Sequence, residues 1–144
     1  MTDLMGLYQL AEEQGVTVDC FQLGARESIS IQEGEECFIA IDPFRLSSSQ
    51  DEKMKLAHEL GHCVTGSFYN RHSGLDIRQK HENRADKWAI EELIGEEALN
   101  EAASEGNTEV WQLADYFNVS EEMMKKAICL YKFGNLDVDS YFGQ

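Results

Sequence analysis

Two histidines stand four positions apart around a glutamate in the segment MKLAHELGHCVTG, residues 54–66. On a helix, His58 and His62 lie one turn apart and both rings point the same way. Glu59 flanks the pair. Imidazoles so placed converge on one zinc ion, and the glutamate between them can take the proton of an attacking water. The chemistry would be metal-assisted hydrolysis with Glu59 as general base. Two helix-surface histidines that bind no metal are the plain alternative, and spacing alone does not exclude it.

A catalytic zinc needs a third protein ligand and an open fourth position. One extension of the motif would put it at residue 68, but Thr65 and Phe68 occupy its distinctive positions. The segment HENRADKWAIEELIG, residues 81–95, offers another source. Glu82, Asp86, Ala89 and Leu93 share one helical face there, and the small Ala85 and Ala89 would let that helix approach the first. An acid among core-type residues needs a partner or a metal, which makes Glu82 the best third ligand. His81 competes but points about 100° away, and His72 is a weaker rival. Asp86, one turn after Glu82, is placed to accept the second ring N–H of His58 or His62.

AHELGH followed by ENRADKWA resembles the ImmA/IrrE family of zinc metallopeptidases, of the broader gluzincin type. ECFIAID is similar to that family's strand before the active-site helix, and VWQLADYFNVSEEMMKKAI to its helix-turn-helix-like segment. The resemblance implies zinc ligands at His58, His62 and Glu82, and a base at Glu59. It implies a protease that cuts a repressor or other regulator, often encoded beside it in phages or mobile elements. Trp88 stands where the family more often has Phe, a packing change. No residue carries over as the donor to the oxyanion. Tyr69, Arg71, His72 and His81 are in range by sequence, with Tyr69 or His72 preferred; plain packing is an equal role for Tyr69.

Several elements must position these groups. The zinc helix reads as residues 51–66, capped by Ser48 or Ser49 and ended by Gly66, with Leu56, Leu60, Cys63 and Val64 on its packing side. Residues 3–14 have helical spacing and stop at Gly15. VTVDCFQL, SISIQ and ECFIAID read as short strands joined by the turn-rich GARE and EGEE, with Pro43 closing the sheet region. Residues 66–80 read as a polar loop placed to touch substrate. In WQLADYFNVSEEMMKKAICLY, Asn118 ends one helix and Ser120 caps the next. The expected fold is α+β: a small, mostly antiparallel sheet packed on a helical core that carries the zinc helix, with a helix-turn-helix-like C-terminal pair. A single domain over residues 1–144 is expected, divided into 1–49 (helix and sheet), 50–97 (zinc-site helices) and 98–144 (C-terminal helices).

Composition narrows the function classes. Twelve Lys and Arg against 27 Asp and Glu give a net charge of −15. After residue 100 there are eight acids and three lysines, too few cations to neutralise DNA phosphates. The C-terminal helices therefore read as a partner-binding or structural pair, with no direct nucleic-acid binding. No long apolar run or basic-plus-apolar leader is present, so neither a membrane span nor a signal peptide is indicated. The four cysteines lack any C-x-x-C spacing and read as free thiols of a cytoplasmic protein, with Cys63 in the core. The expected activity is a Zn2+-dependent endopeptidase acting on a regulatory protein such as a helix-turn-helix repressor. The alternative is a non-catalytic zinc-binding regulator or toxin-like partner of a DNA-binding protein.

Overall fold

The computed structural model describes residues 2–70 and 72–143. Helix α1 (Leu4–Glu13) leads into strands β1 (Thr17–Cys20), β2 (Ser28–Glu33) and β3 (Glu36–Ile41). Helices α2 (Ser49–Thr65), α3 (Leu75–Leu93), α4 (Glu96–Ser104), α5 (Val110–Phe117), α6 (Glu121–Phe133) and α7 (Val138–Phe142) follow. The fold is α+β.

The three strands form one mixed sheet in the order β1-β3-β2. β2 and β3 make the expected antiparallel hairpin, from Ser28 opposite Ile41 to Glu33 opposite Glu36. Gly34, at φ 65°, supplies the left-handed conformation that its tight turn requires. The other pairing is parallel, Thr17 opposite Phe38 through Cys20 opposite Ile41. Residues 21–27 carry the chain across the end of β3 to the far edge of the sheet, so β1 and β3 run the same way.

Two compact units divide the described chain, Thr2–Ala89 and the segment from Ile90 onward. In the first, Ile39 and Ile41 of the central strand are buried with Leu56, Ala57 and Leu60 of α2 and Leu7 of α1. Each fully buried Leu or Ile contributes roughly 1.5–3 kcal/mol. Tyr8 of α1 donates to Glu52 of α2 at 2.7 Å. In the second unit, Leu113, Phe117, Val119 and Met124 are buried, and the Tyr131 hydroxyl donates to the Ile94 carbonyl at 2.6 Å. Asn118, at φ 54°, ends α5, and the Ser120 side chain accepts from Met123 N to start α6.

The ends of α2 follow their sequence signals. Ser48 accepts from Asp51 N, and Gly66 closes the helix at φ 68°. On its packing side, however, Val64 is 39% exposed, and Cys63 is half-buried in a disulfide with Cys37 of β3. The free-thiol reading therefore fails for these two cysteines. Cys37 and Cys63 are 26 residues apart in sequence, and the packing of α2 on β3 brings their Cα atoms to 5.9 Å. Cys20 and Cys129 are free. The loop after α2 is also shorter than its composition suggests. α3 starts at Leu75, because Leu75–Lys80 contains neither glycine nor proline to break the helix.

Gly61 sets the approach of α2 to α3. A Cβ there would lie 2.6 Å from the Ala85 carbonyl oxygen and 3.0 Å from the Ala85 Cα. Both are backbone atoms, so no rotamer change relieves the clash. Gly61→Ala is expected to force the helices apart at a cost of about 1–3 kcal/mol. Thermal unfolding should show a lower Tm and metal titration a weaker affinity; a variant unchanged in both would show the close approach to be dispensable.

Candidate metal centre

His58 and His62 of α2 and Glu82 of α3 meet in one place, each offering a ligand atom within 4.8 Å of the others. The two imidazole Nε2 atoms are 3.2 Å apart. Glu82 places Oε2 2.7 Å from His58 Nε2 and Oε1 3.3 Å from His62 Nε2. Zinc ligands about 2.0–2.1 Å from the ion in a tetrahedron are separated by roughly 3.3 Å, so this donor set fits such an ion.

The other ring nitrogens are already committed. His58 Nδ1 lies 2.8 Å from Asp86 Oδ1, and His62 Nδ1 donates to the Ser67 carbonyl. Acceptors at both Nδ1 positions keep those protons there and leave Nε2 as the nitrogen that each ring can offer to a metal. α3 thus brings Glu82 and, one turn later, Asp86 to the same histidine.

Charge binds the cluster together. Burial disfavours the imidazolium of His58, but hydrogen bonds to Asp86 and Glu82 override it and push its pKa up to about 10. His62 is raised more modestly; burial and the neighbouring His58 oppose the pull of Glu82 and the Ser67 carbonyl. Glu82 is held far below the usual carboxylate range, first by its hydrogen bond with His58 and then by His62.

Glu59 lies in the same cleft and is 8% exposed. Ser28 donates to its Oε2 and Ser30 to its Oε1, each at 2.7 Å. A buried carboxylate is costly unless its oxygens are satisfied, and two serines of β2 satisfy both. The strand turns its polar side inward for this purpose: Ile31, between the serine face and the strand's end, is 53% exposed. The sequence reading missed Ser28 and Ser30, although the alternation S-I-S-I already put them on one face.

Tyr69 is at the cleft and donates to Glu82 Oε1 at 2.8 Å. This hydrogen bond raises the phenol's pKa, with burial and the Glu82 charge adding to it, while Arg26 and Arg78 act in the opposite direction. His81 does not join the donors; its ring stacks on Tyr69 at 6.2 Å, and its buried Nδ1 has no hydrogen-bond partner among the described residues. His72 is not among the described residues lining the cleft. Its backbone N–H donates to the Asn70 side chain. Arg71 lies outside the described residues. The cleft encloses about 420 Å³.

Two histidines and a glutamate that can hold a metal, with a buried glutamate beside them, form a metallopeptidase-type site. The family model of the IrrE N-terminal-like domain, Peptidase_M78, matches residues 32–128, and the chain belongs to this peptidase family. The match includes every donor of the cluster as well as Glu59 and Ser67. No curated protein matches the chain. No helix is long and apolar enough to cross a membrane among the described residues.

The pKa shifts have opposite signs and a definite pH window. In chelated protein, the raised His58 pKa contributes stability that is fully present below the ordinary value of 6.5 and is lost as pH rises through about 10. Glu82 contributes stability present above its ordinary 4.5 and lost as pH falls toward its depressed value. NMR of the imidazoles in chelated protein should therefore show His58 titrating well above 6.5, and Asp86→Asn should lower it. A metal must displace the His58 proton, so metal affinity should weaken as pH falls below about 10. An affinity independent of pH between 6 and 9, roughly the span over which that proton competes, would contradict the assignment.

Proposed function

We propose that the chain is a zinc-dependent endopeptidase that cleaves a regulatory protein, a helix-turn-helix repressor by first preference, in the cytoplasm of a cell whose phage or mobile element encodes it. The observation that carries this reading is Glu59, oriented by two serines within the cleft that holds the three donors. A zinc site that served structure alone would have no use for a buried, oriented carboxylate beside it.

His58, His62 and Glu82 would hold the ion, and Asp86 and the Ser67 carbonyl would fix the imidazoles through Nδ1. Zinc so held would act as a Lewis acid that acidifies water and polarises a peptide carbonyl. Glu59 then takes the proton of the attacking water and delivers it to the leaving amine. Ser28 and Ser30 keep both carboxylate oxygens facing the cleft during this transfer. Tyr69 is the proposed donor to the developing oxyanion, since its phenol proton is already at the cleft beside Glu82.

The partner reading rests on charge. Glu121 and Glu122 are exposed in the first turn of α6, where acids also suit the helix dipole. An acidic surface steers a basic DNA-binding protein toward it at low salt.

Two experiments address this proposal. Glu59→Gln should retain zinc and lower cleavage of a true substrate by about 10²–10⁴; metal analysis and single-turnover proteolysis measure the two effects. An undiminished rate would sink Glu59 as base, and a parent protein that binds its regulator but cuts nothing would favour the non-catalytic reading. Charge reversal at Glu121 and Glu122 should weaken capture of a basic repressor while leaving cleavage of a short peptide unchanged. Unchanged capture in a pull-down titrated with salt would leave those helices as a cap on the core.

A further inference from the structure

Among the described residues, the cationic side chains of Arg26 and Arg78 line the cleft of the candidate metal centre. In a protein of net charge −15, Lys55 pairs with Glu27 at 2.9 Å and Arg45 with Asp42 at 3.6 Å. Arg26 makes no hydrogen bond or ion pair among the described residues. A guanidinium that lines a cleft without an ion pair of its own can bind an anion there.

The backbone around Arg26 is held on both sides. Leu23 N donates to Asp42 Oδ2 at 3.1 Å, and Asp42 N donates to the Glu27 carbonyl at 2.9 Å. Asp42 itself is 2% exposed, and the Lys55 pair ties Glu27 to α2. The residue after this stretch is Ser28, which holds Glu59. Arg26 is thus offered to the cleft from a pinned loop, only two residues from a group that orients the proposed base. In the same cleft lining, Arg78 donates through Nε to the Ser73 carbonyl at 3.0 Å and lies over the Tyr69 ring at 5.9 Å.

We propose that Arg26, with Arg78 beside Tyr69, selects peptides that present a carboxylate next to the scissile bond, and that Arg26 is the specificity-determining residue. The inference rests on the peptidase reading and deepens it by naming the substrate's chemistry. The carboxylate belongs either to an internal Asp or Glu or to the peptide's own C-terminus; both offer the planar oxygens that a guanidinium binds in pairs. A basic regulator would be drawn in by the protein's overall charge, and its cut position chosen by one acidic residue.

The test uses the full chain loaded with zinc and a fluorogenic peptide mixture in which one position is fixed as Glu, Gln or Lys, each with a free or an amidated C-terminus. The same peptides are titrated by fluorescence anisotropy against zinc-loaded Glu59→Gln, which binds without cutting. We expect Glu peptides to exceed Gln peptides by about tenfold in kcat/KM and in affinity, with the preference shrinking as salt rises. Arg26→Ala should abolish most of that preference and Arg26→Glu should turn it toward Lys, while metal content stays unchanged. A preference that survives amidation assigns the internal side chain; one that disappears on amidation assigns the chain terminus. Equal handling of Glu, Gln and Lys peptides, or a preference untouched in Arg26→Glu, overturns the inference while leaving the peptidase reading intact. Arg26-dependent binding of Glu peptides without any hydrolysis by the parent protein supports the inference and overturns the peptidase reading. Failure to bind Glu peptides at all overturns the inference.

Discussion

The Gly61 hydrogen, packed against the Ala85 backbone, is the contact on which the candidate metal centre depends. Two donors come from α2 and the third from α3, and no side chain spaces the two helices at that point. The distance between them is set by backbone against backbone, the closest approach that helices can make. From there the rest follows by helical geometry. Ala85 lies between Glu82 and Asp86, three residues after one and one before the other. Seating Ala85 on Gly61 therefore delivers Glu82 to the Nε2 atoms and Asp86 to His58 Nδ1. Ala89, one turn further along, is fully buried and continues the same small-residue seam.

The electrostatic character of the centre is equally constrained. Two imidazoles with their Nε2 atoms 3.2 Å apart crowd their protons, and the Glu82 carboxylate beside both Nε2 atoms offsets this. In such a cluster the lone pairs converge, the Nδ1 protons are tied down, and a proton or a cation must sit among them. A divalent ion satisfies all three donors at once, whereas a proton satisfies only one pair. The cluster's preference for positive charge is thus built from the same hydrogen bonds that orient it.

Much of this arrangement is local and therefore readable in sequence. The i, i+4 spacing of His58 and His62, the face shared by Glu82 and Asp86, and the caps at Ser48, Gly66, Asn118 and Ser120 are all properties of single helices. What eluded the sequence depends on which element meets which. The Cys37–Cys63 bond requires the packing of α2 on β3 across 26 residues. The parallel pairing of β1 with β3 depends on a connection crossing the sheet. Gly61 reads as a helix-weakening residue until Ala85 is placed against it. The start of α3 at Leu75 was hidden by polar composition, since a helix N-terminus and a loop look alike when both are exposed.

The serine pair on β2 has a further consequence for how the hairpin forms. Side chains along a strand alternate, so slipping β2 by one residue against β3 would turn Ile29 and Ile31 toward α2 and send Ser28 and Ser30 to solvent. On apolar grounds alone that misaligned hairpin would be attractive, because it buries isoleucine in place of serine. It would also strand the Glu59 carboxylate in a nearly dry site with no donor, a loss of several kcal/mol. The acid thus acts as a proofreader of strand alignment. The hairpin that leaves an isoleucine in water is the one that the buried acid accepts.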